Sequence, residues 1–158
     1  GLGRRARGRV AGARRQAERE GLGNTAFVQA DAQPHAFGPE EFSLAMSRFG
    51  TMFFSDPALA FANIGHALRP GAPLVQLVWQ AADLQDWHTA IRAALSPGHP
   101  PSLPVPKADD PFTLADPHIV ADALTTAGFT AVDAVDVREP VYYGPDTERA
   151  LAGVLQLR

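Results

Sequence analysis

The spacing of apolar residues changes along the chain, and two segments stand out because apolar residues are most of their length. These segments are residues 42–48 (FSLAMSR) and 74–79 (LVQLVW). Such runs are typical of strands buried on both faces of a parallel sheet, so we predict that both are inner strands. Two other segments, residues 25–29 and 131–138, also predict strands.

Helical patterns alternate with these strands. Asp-Pro pairs start two of the predicted helices, because Asp caps a helix N-terminus and proline fits the first turn. The first of these helices begins at Asp56 and stops before Pro70, and the second begins at Asp116 and closes at Gly128. The alternation predicts an α/β fold in which helices cover a parallel sheet. The remaining predicted helices cover residues 9–20, 84–95 and 146–156.

The length of 158 residues is that of one ordinary domain. Residues 96–111 carry six of the fourteen prolines. We predict a loop there and not a linker between domains, since the α/β pattern resumes after it. The whole chain, residues 1–158, is therefore treated as one unit.

The composition excludes several kinds of chemistry. The chain has no cysteine, which removes disulfides, thiolate metal sites and a thiol nucleophile. The five histidines show neither H-x-H nor H-x-x-x-H spacing, so a metal site has little support. No apolar run approaches the roughly 20 residues needed to cross a bilayer. We therefore expect a cytoplasmic protein that does not contact a membrane.

The net charge of -3 conceals an arginine-rich start, because residues 1–20 hold seven of the fourteen basic residues. A basic arm of this kind can bind nucleic acid, or it can be a solvated helix face. The second interpretation is favoured, since no aromatic residue is interleaved for base stacking and the remainder of the chain is acidic. Nucleic acid is therefore not an expected partner.

Ligands of an open parallel sheet bind outside the carboxyl ends of its strands. The predicted strand ends are residues 29–32, 47–50 and 79–80. Asp31 follows the first of these strands, and its carboxylate can accept a hydrogen bond from an exocyclic amine such as that of adenine. A turn or helix cap explains Asp31 equally well, and the sequence leaves both interpretations open.

Four motifs follow one another along the chain: FVQADA (27–32), FSLAMSRFGTMFF (42–54), DP (56–57) and ALRPGAPL (67–74). Together they resemble the Rossmann-like class I S-adenosylmethionine-dependent methyltransferases, and most closely the ubiquinone/menaquinone-biosynthesis-like group. The resemblance covers roughly residues 13–157, and the ordered set is far more specific than any single motif.

The resemblance implies transfer of the sulfonium methyl group of S-adenosylmethionine to an oxygen, carbon or nitrogen of a small molecule. In that family the residue matching Asp31 binds the adenine amino group, and the residue matching Ala32 lies beside the ring. Positions matching Ser47, Arg48 and Phe49 line the methionine and methyl-donor end. These five residues are the predicted cofactor site. No acid or base is assigned, because methyl transfer depends mainly on aligning donor and acceptor.

The chain also departs from the family pattern. Phe42-Ser43 replaces the usual F-D, and Pro70-Gly71-Ala72 replaces P-G-G. The family's first two strands and its G-x-G-x-G turn do not precede residue 13, and no final strand follows the last helix. We therefore expect an incomplete Rossmann-like sheet that lacks the first two strands and the last one, with an atypical start over residues 1–12.

Two functions from different classes follow from these observations. The first is methyl transfer to a small molecule, impaired in this chain, with little or no cofactor affinity because the glycine turn is absent. The alternative is a non-catalytic binding or assembly protein that keeps a methyltransferase-like half-sheet and associates through its exposed edge. Trp79, His88 and Tyr143 are further candidates for contact with a substrate, and core packing or a surface role explains each of them as well.

Overall fold

The computed structural model of the chain describes residues 2–95 and 110–156. Most of the proline-rich loop predicted at 96–111 lies outside these residues. The elements in chain order are helix α1 (Leu2–Arg19), strand β1 (Ala45–Arg48), a 3-10 helix (Thr51–Phe53), helix α2 (Pro57–Ala67), strand β2 (Leu74–Leu77), a second 3-10 helix (Ala82–Leu84), and helices α3 (Asp86–Leu95), α4 (Pro117–Thr126) and α5 (Thr147–Gln156).

The two strands pair in parallel, with Ala45 opposite Leu74 and Arg48 opposite Leu77. Helix α2 forms the crossover between them, as parallel pairing requires. A single parallel bridge between Phe42 and Leu68 extends the contact towards the start of the strands. The predicted α/β class, a parallel sheet flanked by helices, is confirmed, and the arrangement is consistent with part of a Rossmann-like fold.

The caps predicted at the two Asp-Pro pairs are confirmed. The Asp56 carboxylate accepts a hydrogen bond of 3.0 Å from the backbone N–H of Leu59, and the Asp116 carboxylate accepts one of 2.8 Å from that of His118. Each bond satisfies a donor that the first turn of a helix leaves unpaired. Helix α4 closes at Gly128, whose φ of +93° favours glycine.

Helix α2 supplies the centre of the hydrophobic core. Phe61 is fully buried, and it clusters with Met52 of the first 3-10 helix, with Leu114 and with Leu124 of α4. Phe129, which follows α4, lies 3.4 Å from the position that a side chain on Gly65 would occupy. A methyl group at position 65 would therefore make ordinary van der Waals contact with the Phe129 ring.

The strands predicted at residues 25–29 and 131–138 are wrong. Neither segment has a ladder partner within the described ranges, and their apolar side chains Val28, Val135 and Val137 are exposed. An apolar run becomes a strand only where a neighbouring strand supplies hydrogen bonds and burial. Here isolated side-chain bonds replace the ladder: Arg14 donates to the carbonyl of Phe27 at 2.6 Å, and Gln80 donates to Asp136 at 2.8 Å.

The prediction that β1 and β2 are buried on both faces is also wrong for the described part of the chain. Both strands are shorter than predicted, and Met46 and Val75, which are register partners, are 76% and 54% exposed. The opposite face carries Ser47 and Gln76 and is partly covered. Leu74, on the same face as Gln76, packs against the hydrophobic core, and this contact covers that face of the sheet.

None of the helices in the described ranges has the length and apolar character that crossing a bilayer requires.

We expect Phe61→Ala to lower the free energy of unfolding by about 3–5 kcal/mol, since it leaves a cavity at the centre of the core. The matched control is Leu59→Ala on the same helix, where the side chain is 56% exposed and the loss should stay within about 0.5 kcal/mol. Urea denaturation followed by circular dichroism measures both. Equal losses in the two variants would contradict this placement of the core.

Candidate functional site

Strand β1 ends in a sharp change of direction. Phe49, the first residue after the strand, has a φ of +56°, which is uncommon for a residue with a side chain. Its backbone N–H donates to the carbonyl of Leu77 at 2.9 Å, and this bond closes the carboxyl end of the sheet. The Ser47 hydroxyl accepts a hydrogen bond of 3.2 Å from the N–H of Thr51. The chain is thereby turned from the strand into the first 3-10 helix.

A buried hydroxyl joins the ends of the two strands. Thr51 is 3% exposed, and its Oγ1 donates to Oε1 of Gln76 on β2 at 2.9 Å. The next residue, Met52, is held from the other side, because its carbonyl accepts a hydrogen bond from the hydroxyl of Thr113. Polar bonds made away from water hold this turn in one arrangement.

The side chain of Phe49 is stacked between an indole and a cation. Its ring lies 4.2 Å from that of Trp79, which follows β2, with an angle of 13° between the planes. The Arg48 guanidinium carbon lies 5.2 Å from the centre of the Phe49 ring. Both contacts offset the cost of the left-handed backbone, which is about 1–2 kcal/mol for a residue with a Cβ.

Phe49 and Trp79 belong to a larger aromatic cluster at the carboxyl end of the sheet. The ring centre of Trp87 on α3 is 5.3 Å from that of Trp79, and the ring centre of His88 is 5.2 Å from that of Phe112. Tyr143 contacts Trp87, and burial raises the pKa of the Tyr143 hydroxyl above its ordinary value. The aromatic cluster comprises Phe49, Trp79, Trp87, His88, Phe112 and Tyr143.

Asp31 lies in a tight turn and not at the end of a strand. Its Oδ1 accepts a hydrogen bond of 3.0 Å from the N–H of Gln33, and its carbonyl accepts one of 3.0 Å from the N–H of His35. The turn-cap interpretation of Asp31 therefore applies. The ligand interpretation is compatible with it, because no donor among the described residues reaches Oδ2 and the side chain is exposed.

The turn containing Asp31 is attached to helix α2 at two points. Asn63 Nδ2 donates to the carbonyls of Ala32, Gln33 and His35. The Gln33 side chain accepts hydrogen bonds from the hydroxyl of Ser55 and from the N–H of Asp56, at the start of the helix. Residues 31–35 therefore follow the surface of α2.

Two of the predicted cofactor residues meet at one cavity. Ala32 and Ser47, which are far apart in the chain, line an open cavity of about 440 Å³, a volume in the range of small-molecule sites. Phe37, Phe42 and Phe54 contribute apolar walls. Asp31 precedes Ala32 in the same turn, whereas Arg48 and Phe49 lie at the end of β1 beside the aromatic cluster.

Reasoning from the sequence missed Asn63, Gln33 and Thr51. A detectable signal existed for Asn63, since it is a carboxamide in a helix whose other residues are mostly apolar. Thr51 and Gln33 gave no such signal, because their partners lie 25 and 23 residues away and only the tertiary structure brings them close. Within residues 2–95 and 110–156, no group of His, Asp and Glu side chains is arranged to hold a metal ion.

Comparison with known proteins finds a match to one family model. Residues 6–76 match a family model described as a methyltransferase domain. The match covers less than half of the chain, but it includes the turn at Asp31, all of β1 and α2, and most of β2. It supports a class I S-adenosylmethionine-dependent methyltransferase domain. No curated protein and no solved structure matches the chain.

Replacing Thr51 by Val should lower the free energy of unfolding by about 1–3 kcal/mol, because the partly buried Gln76 loses its hydrogen-bond donor while the shape of the side chain is kept. The matched variant Thr51→Ser keeps the hydroxyl and should lose less. Thermal denaturation compares the three proteins. A loss in Thr51→Val no larger than that in Thr51→Ser would show that the bond between the strand ends contributes nothing.

Proposed function

We propose that this chain takes part in the transfer of a methyl group from S-adenosylmethionine to a small molecule in the cytoplasm, as in the ubiquinone/menaquinone-biosynthesis-like group. One observation carries the proposal. Ala32 and Ser47, assigned to the cofactor through separate motifs, line the same cavity, which runs along β1. The match of residues 6–76 to a methyltransferase domain supports the same function.

The residues present suit the cofactor. Oδ2 of Asp31, which no donor among the described residues reaches, offers an acceptor for the adenine amino group, and the small side chain of Ala32 leaves room for the ring beside it. Ser47, Arg48 and Phe49 would line the methionine end. S-adenosylmethionine supplies an electrophilic methyl group on a sulfonium, and the protein's part is to hold donor and acceptor in line.

The space for a methyl acceptor lies beside the aromatic cluster. Phe49 belongs both to the proposed donor end and to the aromatic cluster, through its stacking on Trp79. An acceptor resting against these rings would be next to the methyl group and partly shielded from water. Arg48, over the Phe49 ring, would place a positive charge at the rim of the same space.

We propose that cofactor affinity is low, as the sequence predicts, because the residues named here contact only the adenine and methionine ends. Isothermal titration calorimetry tests this point, and micromolar affinity would contradict it. Low affinity still allows binding to be measured, because saturation-transfer NMR detects S-adenosylhomocysteine at millimolar dissociation constants.

We expect Asp31→Ala to reduce the saturation transfer to the adenine protons of S-adenosylhomocysteine about tenfold or more, through loss of a hydrogen bond to a charged acceptor. The matched control is Asp122→Ala, which removes an exposed carboxylate on α4 and should leave the signal unchanged. Absence of any signal with the unaltered chain would refute cofactor binding. Equal signals in both variants would remove Asp31 from the site.

The open edge of β1 favours a second candidate function, a binding or assembly protein that keeps a methyltransferase-like half-sheet. The N–H groups of Ala45 and Phe49 donate towards β2, so the backbone groups of Met46 and Arg48 point to the opposite edge. No strand pairs with that edge within the described residues. An unpaired edge with an exposed apolar side chain is a template for another strand.

If association through this edge is the function, size-exclusion chromatography should show a species larger than the monomer that grows with protein concentration. Met46→Lys should return it to a monomer, because a lysine on an edge strand opposes pairing. Val75→Lys places the same charge on the same open face but on β2, and it should leave association intact. A clean monomer at all concentrations would eliminate this candidate.

A further inference from the structure

We propose that Asn63 is a positioning residue that holds residues 31–35 in the arrangement needed to bind the adenine end of the cofactor. The inference rests on the methyl-transfer function proposed above and adds to it a residue outside the predicted site. Asn63 contacts the turn from the side of α2 and acts through it.

Several hydrogen bonds converge on the side chain of Asn63. The Nδ2 group of Asn63 is 2.9 Å from the carbonyl oxygen of Ala32, 3.1 Å from that of Gln33 and 2.8 Å from that of His35. Three carbonyls of one turn thus face a single amide group with two hydrogens. The carbonyls of an isolated turn have no such donor and would need water.

The side chain of Asn63 is held on a rigid support, helix α2. Asn63 lies on α2 between Phe61, which is fully buried, and Ile64, which packs against the same core. The helix cannot follow a movement of the turn without disturbing the core. The turn is therefore fixed relative to β1, which is the other wall of the cavity.

The attachment by Asn63 also bears on Asp31. Within the turn, Oδ1 of Asp31 accepts a hydrogen bond from the N–H of Gln33, and the carbonyl of Asp31 accepts one from the N–H of His35. These bonds orient the carboxylate only as long as the turn keeps its shape. Asn63 bonds the carbonyls of the intervening and closing residues, so it controls the direction in which Oδ2 points without touching it.

A second attachment of the turn allows the role of Asn63 to be tested without unfolding the chain. The Gln33 side chain accepts from the N–H of Asp56 at 3.1 Å and from the Ser55 hydroxyl at 3.2 Å. Positions 56 and 63 are about two helical turns apart, or roughly 10 Å. Loss of Asn63 should therefore loosen the turn at one point while Gln33 keeps it near α2, so the chain stays folded.

The proposed role of Asn63 is tested with two variants at position 63 and one control variant at position 59. Asn63→Ala removes the hydrogen-bond donor. Asn63→Asp replaces the amide with a carboxylate of the same shape, which can only accept hydrogen bonds and is repelled by the three carbonyl oxygens. Protonation restores one donor to that carboxyl, so Asn63→Asp should approach the unaltered chain as the pH is lowered, whereas Asn63→Ala should not. Leu59→Ala, exposed on the same helix, is the control.

The first readout needs no cofactor. Two amides report on the turn: the N–H of His35 donates to the carbonyl of Asp31, and the N–H of Phe37 donates to the carbonyl of His35. Hydrogen exchange of both amides should be about tenfold faster in Asn63→Ala than in Leu59→Ala at the same pH. Exchange unchanged by Asn63→Ala would overturn the inference. If Asn63→Ala fails to fold, Gln33→Ala tests the same turn from its other attachment and should accelerate the same amides.

The second readout is saturation transfer to S-adenosylhomocysteine at a fixed, non-saturating concentration, where occupancy is inversely proportional to Kd. Asn63→Ala should reduce it about tenfold relative to Leu59→Ala, at a temperature where both are fully folded. A loosened turn with undiminished binding would overturn the inference and leave the proposed function intact. No binding by the unaltered chain would overturn the proposed function, and the positioning role with it.

Discussion

The parallel pairing of β1 with β2 is the constraint on which the other features depend. Parallel strands need a crossover, and here α2 provides it, with Phe61 buried against Met52, Leu114 and Leu124. Because both strands run in the same direction, both of their carboxyl ends lie at one edge. Ser47, Phe49 and Trp79 come together at that edge for this reason, although Trp79 is thirty residues further along the chain.

Helix α2 has a second structural role that its sequence pattern does not predict. Its apolar side packs on the core, while its polar positions bind the turn at residues 31–35. The same helix therefore determines the distance between the turn and β1. An element that stabilises the fold also sets the width of the cavity, so core substitutions should be felt at the site.

The carboxyl end of the sheet combines strain with support. The left-handed backbone of Phe49 is compensated by a hydrogen bond to Leu77 and by stacking on Trp79. The Thr51 hydroxyl and the aromatic cluster surround the same turn. Strained residues that the surroundings hold firmly are characteristic of binding sites, and this turn separates the proposed donor end from the space for an acceptor.

The sequence by itself determined the features that depend on local interactions. The caps at Asp56 and Asp116, the end of α4 at Gly128 and the α/β alternation follow from side chains that interact within a few residues. The tertiary structure decided which apolar runs became strands, because residues 25–29 and 131–138 lack a neighbour to pair with. It also decided the site. The bonds of Asn63 and Thr51, and the meeting of Ala32 with Ser47, join residues that are 15 to 31 positions apart. No local sequence pattern predicts these contacts, since they form only when helix α2 packs on the core and brings the separate segments together.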